Sequence, residues 1–238
     1  MLSKKEIKDI QSLSHKKARS ETGLFVAEGP KIVSELIQIA PKQIQTIYAI
    51  EQWVAENKTV AATVLSDIEL ERISQLQTTN QVVAVVKQFE SKEPNAGESF
   101  CLYLDTIQDP GNLGTIIRIA DWFGIKDIVC SSDCVDLYNS KVVQATMASI
   151  ARVNVYYDEE GIWLSKQQAP VYAATLGGNS IYEINKLTNG VLMIGNESKG
   201  LSDRTLAFAT ERITIPKKGA AESLNAAVAT GIILSHLI

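Results

Sequence analysis

A chain of 238 residues that is 45% hydrophobic and 21% charged has enough apolar material for a substantial core and enough length for one large or two modest domains. No apolar run approaches the roughly 20 residues that span a bilayer, and the opening MLSKKEIKDI lacks the apolar segment of a signal peptide, so membrane insertion and secretion are not expected. A net charge of -4 argues against binding of nucleic acid by global electrostatics and leaves only a local basic surface for that role.

In chain order, the first twenty residues set Lys4, Lys5, Lys8, Lys16, Lys17 and Arg19 against only Glu6 and Asp9, which is either a basic contact surface or a solvated helix face. Strands are predicted at LFVAE from Leu24, IQTIYAI from Ile44 and VVAVV from Val82, with helices near Lys31 to Ala40 and Asp67 to Ser74. The stretch from Glu90 to Ser99 is charged, holds Pro94 and Gly97 and has no periodicity, so it reads as a linker between domains at 1–92 and 99–238. Beyond it FCLYLD (Phe100 to Asp105) is a buried strand, DPGNLG a loop, TIIRIADWF a helix and KDIVC the next strand. SKVVQATMASIA makes a helix, VNVYY a strand, and PVYAAT a further strand after a short helix around Ile162. VLMIG is an apolar strand ending at Gly195, RITI (Arg212 to Ile215) is the last strand, and SLNAAVATGIILSHLI is a closing helix. Such alternation marks an α/β protein with largely parallel strands.

Three cysteines, Cys101, Cys130 and Cys134, are too few for a disulfide framework, so a reducing compartment, the cytoplasm by default, is expected. Cys130 and Cys134 have a spacing that zinc sites also use, but the histidines, His15 and His236, are remote from them in sequence. The preferred reading puts Cys130 at the end of a strand and Cys134 in the loop after it, and no metal is expected.

Ligands of open parallel sheets bind at the carboxyl ends of strands, and three loops placed there are rich in Gly, Asn and Pro. The first, Asp109-Pro110-Gly111-Asn112-Leu113-Gly114, leads into a helix carrying Arg118; Asn112 is a candidate cap, and Arg118 either meets an anion or pairs with Asp121. The second, Gly195 to Ser202, frames Glu197 between two glycines, with Ser202 an ordinary N-cap for the next helix. The third, Ile215 to Asn225, gathers Ser223 and Asn225 at the start of an apolar helix, where capping by Ser223 is the plain alternative. None is the dinucleotide fingerprint or a phosphate loop.

Taken in order, Asn112-x-Gly114-x-x-x-Arg118, Gly195-Asn196-Glu197-x-x-Gly200-Leu201 and Ile215-Pro216-x-x-Gly219-x-x-x-Ser223-Leu224-Asn225 resemble the three motifs of the SpoU family of RNA 2'-O-ribose methyltransferases. The segment before the linker, GLFVAEGPKIVSEL in particular, is similar to the substrate-binding domain common in that family. The resemblance implies a C-terminal parallel-sheet methyltransferase domain with a trefoil knot, a smaller N-terminal α/β substrate-binding domain, S-adenosylmethionine as cofactor, RNA as partner, and a homodimer through the C-terminal domain. It implies a cofactor site of Thr175, Leu176, Gly195, Asn196, Gly200, Ile215, Pro216, Ser223 and Leu224. Arg118 would stabilise the developing oxyanion at the ribose, Glu197 and Asn112 would orient Arg118 and the substrate, and Ser223 and Asn225 would hold the nucleotide or the cofactor. The chain departs from the family at Lys217, where methionine is usual, and at Ala226-Ala227, where Val-Ser is frequent.

The expected substrate is ribosomal RNA, with transfer RNA second. Two competing readings are an RNA-binding protein of the same fold without catalysis, against which the full set of motif residues argues, and a nucleotide-dependent oxidoreductase, which lacks its fingerprint.

Overall fold

A computed structural model describes residues 2–238. The chain divides into two units, one comprising the residues up to Glu90 together with Tyr138–Ala151, the other Ser91–Leu137 with Arg152–Ile238.

In the first unit, β1 (Leu24–Glu28), β2 (Ile44–Ala49), the short β3 (Thr63–Val64) and β4 (Val82–Lys87) form one sheet in the order β1-β4-β2-β3. β4 is antiparallel to both β1 and β2, and only β2 and β3 run parallel. The expectation of largely parallel strands is therefore corrected for this unit. VVAVV is apolar enough for burial on both faces, and apolarity does not encode the direction of its neighbours. Around the sheet lie α1 (Lys4–Ser12), α2 (Lys16–Thr22), α3 (Pro30–Ile39), α4 (Glu51–Glu56) and α5 (Asp67–Ile73). α1 and α5 each begin with a capping box, Ser3 with Glu6 and Ser66 with Glu69, which satisfies two orphan backbone donors at each start.

The helix α7 (Ser140–Thr146), expected to run on to Ala151, belongs to this first unit, where it packs on β1. It stops early because Met147 and Ala148 adopt positive φ of 48° and 69°, a conformation no helix tolerates. A short 3-10 turn at Ser149–Ala151 follows.

The second unit is a six-stranded sheet, every pairing parallel, in the order β10-β8-β9-β5-β6-β7. Its strands are β5 (Phe100–Leu104), β6 (Asp127–Ser131), β7 (Asn154–Asp158), β8 (Val171–Ser180), β9 (Gly190–Ile194) and β10 (Glu211–Thr214). β5 and β9 are buried at every position, as the central strands of a sheet covered on both faces must be. From β5 the chain winds outward to β6 and β7, then crosses to β8 on the other side. That reversal makes a crevice at the carboxyl ends of β5 and β9, where the loops depart in different directions.

Two details of this unit shape the crevice. The loop expected at DPGNLG is mostly helix: α6 (Pro110–Trp122) begins at Pro110, and Asp109 rather than Asn112 is its N-cap, accepting the Asn112 amide at 2.8 Å. Asp at the cap and Pro at the first helical position are both favoured chemistry for a helix start. The second detail is β8, which pairs with β10 through Ala173↔Arg212 and then resumes at Asn179↔Ile213. Residues 174–178 loop out opposite a single step of β10. Gly178 closes that excursion, because a Cβ there would lie 2.5 Å from the Arg212 carbonyl oxygen. The small helix α8 (Asp203–Leu206) follows the Ser202 cap, and the closing helix α9 (Ala226–Leu237) packs on α6. Among the described residues no helix is long and apolar enough to cross a membrane.

Candidate active site

The excursion within β8 and the loops at the carboxyl ends of β9 and β10 enclose a cavity of about 960 Å³, at the upper end of the range for small-molecule sites. Its walls include Thr175 and Leu176 from the excursion of β8, Gly195, Asn196, Glu197 and Gly200 after β9, and Ile215, Pro216, Ser223 and Leu224 after β10. All the residues expected at the cofactor therefore line one cavity. Leu176 and Leu224 are 80% and 46% exposed there, apolar surface that a bound ring would cover.

The loop after β9 is fixed by its backbone. Asn196 and Gly200 form a reciprocal bridge, the Asn196 amide donating to the Gly200 carbonyl at 3.1 Å and the Gly200 amide returning the bond at 2.8 Å. This draws Gly200 and Leu201 directly over Gly195, where an added Cβ would sit 2.3 Å from the Gly200 carbonyl carbon. Gly200 has φ of 71°, open to glycine at no steric penalty. The Asn196 side chain accepts the amides of Ser198 and Lys199 and donates to the Thr106 carbonyl at 3.0 Å, so its role in the cavity wall is to shape the loop.

Sequence reasoning passed over the groups that anchor this loop from below. Asp105, at the end of β5, is buried and accepts the Ser202 amide at 2.8 Å and the Thr106 hydroxyl at 3.0 Å. Burial acts to raise its pKa, but the hydrogen bonds from Ser202, Thr205 and Thr106 outweigh burial and hold the carboxyl below its ordinary value. Thr106 stands at φ of 59°, a sparsely populated region for a β-branched residue, with its amide on the Ser131 hydroxyl at 2.9 Å. Cys134 lies in the loop after β6, which holds Cys130. Its Sγ accepts the Ile107 amide and donates to the Leu104 carbonyl, both at 3.3 Å, so it staples the same turn. A carboxylate closing the apolar run FCLYLD was the visible signal for Asp105; the conformation of Thr106 left none.

The three motifs meet in a chain of side-chain amides. Asn225, and not Ser223, caps α9: its Oδ1 accepts the amides of Ala227 and Val228 at 3.0 and 3.2 Å. That bond orients the amide, so Nδ2 faces outward and donates to Asn112 Oδ1 at 2.8 Å. Asn112 Nδ2 is then turned to Glu197 Oε1, which it donates to. Residues far apart in sequence are thereby aligned, with the Glu197 carboxylate at one end and the N-terminus of α9 at the other. The second Glu197 oxygen makes no hydrogen bond among the described residues.

Arg118 lies apart from this chain. It is exposed on α6 and forms no hydrogen bond or ion pair among the described residues, with Asn112 and Glu197 included. The alternative pairing with Asp121 does not form; Asp121 binds Arg152 Nε at 2.7 Å. Ser223 lines the cavity, exposed, and its side chain makes no hydrogen bond among the described residues. No group of three or more His, Cys, Asp or Glu side chains among the described residues is placed to hold a metal ion.

A parallel sheet with its cavity beyond β8, β9 and β10, and three polar motifs joined beside it, defines a class that comparison with known proteins makes specific. Residues 99–235 match the SpoU rRNA Methylase family and residues 4–84 an MRM3-like substrate binding domain. The chain belongs to the SpoU family, a parallel-sheet methyltransferase core carrying an N-terminal substrate-binding domain. Among its relatives, the 23S rRNA (guanosine(2553)-2'-O)-methyltransferase RlmP of Bacillus subtilis is 30% identical over 98% of this chain and 95% of its own. Among solved structures, a TrmH-family protein from Porphyromonas gingivalis superposes with a TM-score of 0.87 at 34% identity, covering 100% of this chain and 98% of that one. An AdoMet-bound rRNA methyltransferase from Sinorhizobium meliloti does so with a TM-score of 0.84 at 32% identity, covering 100% and 95%.

Proposed function

We propose that this protein methylates a ribose 2'-hydroxyl of ribosomal RNA with S-adenosylmethionine as donor. The observation that carries the reading is the Asn225–Asn112–Glu197 chain, which joins all three motifs beside a cavity of fitting size. The cofactor fits the residues present: Gly195, Asn196 and Gly200 offer a preformed backbone wall, Thr175, Ile215, Pro216 and Ser223 complete it, and Leu176 and Leu224 present the apolar faces that an adenine ring needs. When bound, the cofactor supplies a methyl group on a positively charged sulfur.

The attacking 2'-oxygen loses its proton to solvent water and carries negative charge in the transition state. A guanidinium holds its proton throughout the neutral range and is a poor proton acceptor, so Arg118, with no partner among the described residues, acts as an electrostatic stabiliser of that oxygen and of the adjoining phosphate. Asn112 and Glu197 orient the nucleotide, held in place by Asn225.

Ribosomal rather than transfer RNA is favoured because a relative named for ribosomal RNA matches this chain over both units. The functional domains we assign are 1–92 for RNA binding and 99–238 for methyl transfer, the latter knotted and paired in a homodimer, working in the cytoplasm. Lys4, Lys5, Lys8, Lys16 and Lys17 are exposed on the first unit and serve as its phosphate contacts. Arg19 does not, being 4% exposed with its guanidinium on the carbonyls of Leu13 and Ser14.

The test is calorimetry with S-adenosylmethionine together with mapping of 2'-O-methyl positions in RNA from cells with and without the protein. Binding of the cofactor and the loss of one ribosomal position are expected. Arg118→Ala is expected to lower methyl transfer by about 10²-fold or more while cofactor affinity stays within twofold. A protein that binds no S-adenosylmethionine sinks the reading.

A further inference from the structure

The overall charge of the chain is negative, yet the mouth of the cavity is not. Lys199 from the loop after β9 and Lys217 and Lys218 from the loop after β10 all line it, against the carboxylates of Glu197 and Glu222. Glu197 is engaged by Asn112. The ammonium groups of the three lysines form no hydrogen bond or ion pair among the described residues, and all three residues are exposed. Two separate loops thus deliver unpartnered cations to one rim.

We propose that Lys199, Lys217 and Lys218 form a backbone-phosphate subsite that seats the RNA strand next to the target ribose at the cavity mouth. The inference rests on the methyltransferase reading and adds to it where the strand lies. Flexible, compact ammonium charges suit successive phosphates, which ask for charge rather than for a fixed bidentate geometry. Position argues against the carboxylate of the cofactor as their ligand. One carboxylate needs one cation, whereas three stand here, on the solvent-facing rim, where a polyanion passes. Lys217 and Lys218 are adjacent on a stretch without helical or strand structure, so the pair can follow a bending backbone.

The experiment measures binding of an unmodified, fluorescently labelled 23S rRNA transcript to the full chain across a salt series, alongside calorimetry with S-adenosylmethionine alone. Variants are Lys217→Gln with Lys218→Gln, the same pair with Lys199→Gln, and Lys126→Gln as control. Lys126 immediately precedes β6, at the opposite end of the sheet from the cavity. Each lost phosphate contact removes roughly 0.7 from the slope of log affinity against log salt on a single strand. The double variant is therefore expected to be shallower by about 1.4 and the triple by about 2, with affinity at low salt down on the order of tenfold or more. The loss in methyl transfer should fall on the KM for RNA, with cofactor affinity unchanged and Lys217→Arg retaining the slope. An unchanged slope overturns the proposal, as does a loss of S-adenosylmethionine affinity in its place, which would assign the lysines to the cofactor. Failure of the parent reading is separate: the unsubstituted protein would then bind no S-adenosylmethionine, whatever the lysines do.

Discussion

Replacing Gly195 by alanine tests whether the backbone of the loop after β9 builds the cofactor site. The new Cβ would lie 2.3, 2.4 and 2.5 Å from the Gly200 carbonyl carbon, the Leu201 nitrogen and the Gly200 oxygen, where ordinary contact begins at 3.4 Å. Gly200 and Leu201 must retreat by about 1 Å. They are backbone atoms held by the Asn196–Gly200 bridge and by Asp105 at the Ser202 amide, so no flexible side chain can absorb the change. Overpacking of this kind costs about 1–3 kcal/mol, and the strained bridge adds about 1 kcal/mol for each bond that opens. A total near 3 kcal/mol lowers the Tm of a chain this long by about 6–12 °C and leaves it folded. Because the displaced atoms are the cavity wall itself, S-adenosylmethionine affinity is expected to fall by about 100-fold or more, measured by calorimetry below the variant's Tm. Gly219→Ala is the matched control: Gly219 lines the same cavity, has nothing within 4 Å of its added Cβ, and should behave as the unsubstituted protein. Gly195→Ala binding the cofactor within twofold of the original would refute the reasoning.

Three further outcomes are expected. Asn225→Ala removes both the α9 cap and the bond to Asn112 and should cost about 1 kcal/mol in thermal or denaturant unfolding, whereas Asn225→Asp keeps the cap and loses only the donor; equal methyl transfer by Asn225→Asp and the original would show that the bond to Asn112 is idle. The hydrogen bonds that hold Asp105 below its ordinary pKa contribute stability above the unfolded value near 3.9, lost as the pH falls through the lower folded value; Asp105→Asn should be the less stable protein at pH 7, by about 1–2 kcal/mol, with the gap closing toward pH 2, and a gap independent of pH contradicts this. Glu28 carries the opposite sign, since burial raises its pKa against the bonds from Ser74 and Gln75: its favourable contribution is complete below an unfolded value near 4.3 and is lost as the pH rises through the higher folded value, so Glu28→Gln, whose amide can satisfy both neighbours, should gain on the original between pH 4.5 and 7 in denaturant titrations.

The second unit was legible because its strands are short apolar runs separated by helical periods, and a sheet buried on both faces demands that pattern. β5, β6, β7, β9 and β10 lie within a residue or two of their expected positions. The first unit was harder. LFVAE, IQTIYAI and VVAVV are equally apolar, and their antiparallel arrangement depends on where β4 is inserted, a choice made by tertiary packing. Likewise SKVVQATMASIA has an unbroken helical pattern; the left-handed Met147 and Ala148 that end α7 carry no Gly or Pro to announce them. The start of α6 is different in kind. Asp109-Pro110 is a helix-start signal, and the glycines that follow it obscured a boundary the local chemistry specifies.

At the candidate site, residue types were legible and their connections were not. Loop composition could mark Asn112, Glu197 and Asn225 as polar residues in the segments that follow strands, but which amide atom faces which partner is decided by the cap of α9. Once Asn225 Oδ1 is committed to Ala227 and Val228, the direction of each bond along to Glu197 follows. Arg118 shows the converse. Six residues beyond Asn112 on a helix of 3.6 residues per turn, it points well away from Asn112, so an arginine expected to be oriented by Glu197 and Asn112 stands unpaired in the free protein. An exposed cation with no partner among the described residues, on the helix that begins at the polar chain, is open to an anion from outside, and under the proposed function that anion is the developing 2'-oxyanion with its neighbouring phosphate.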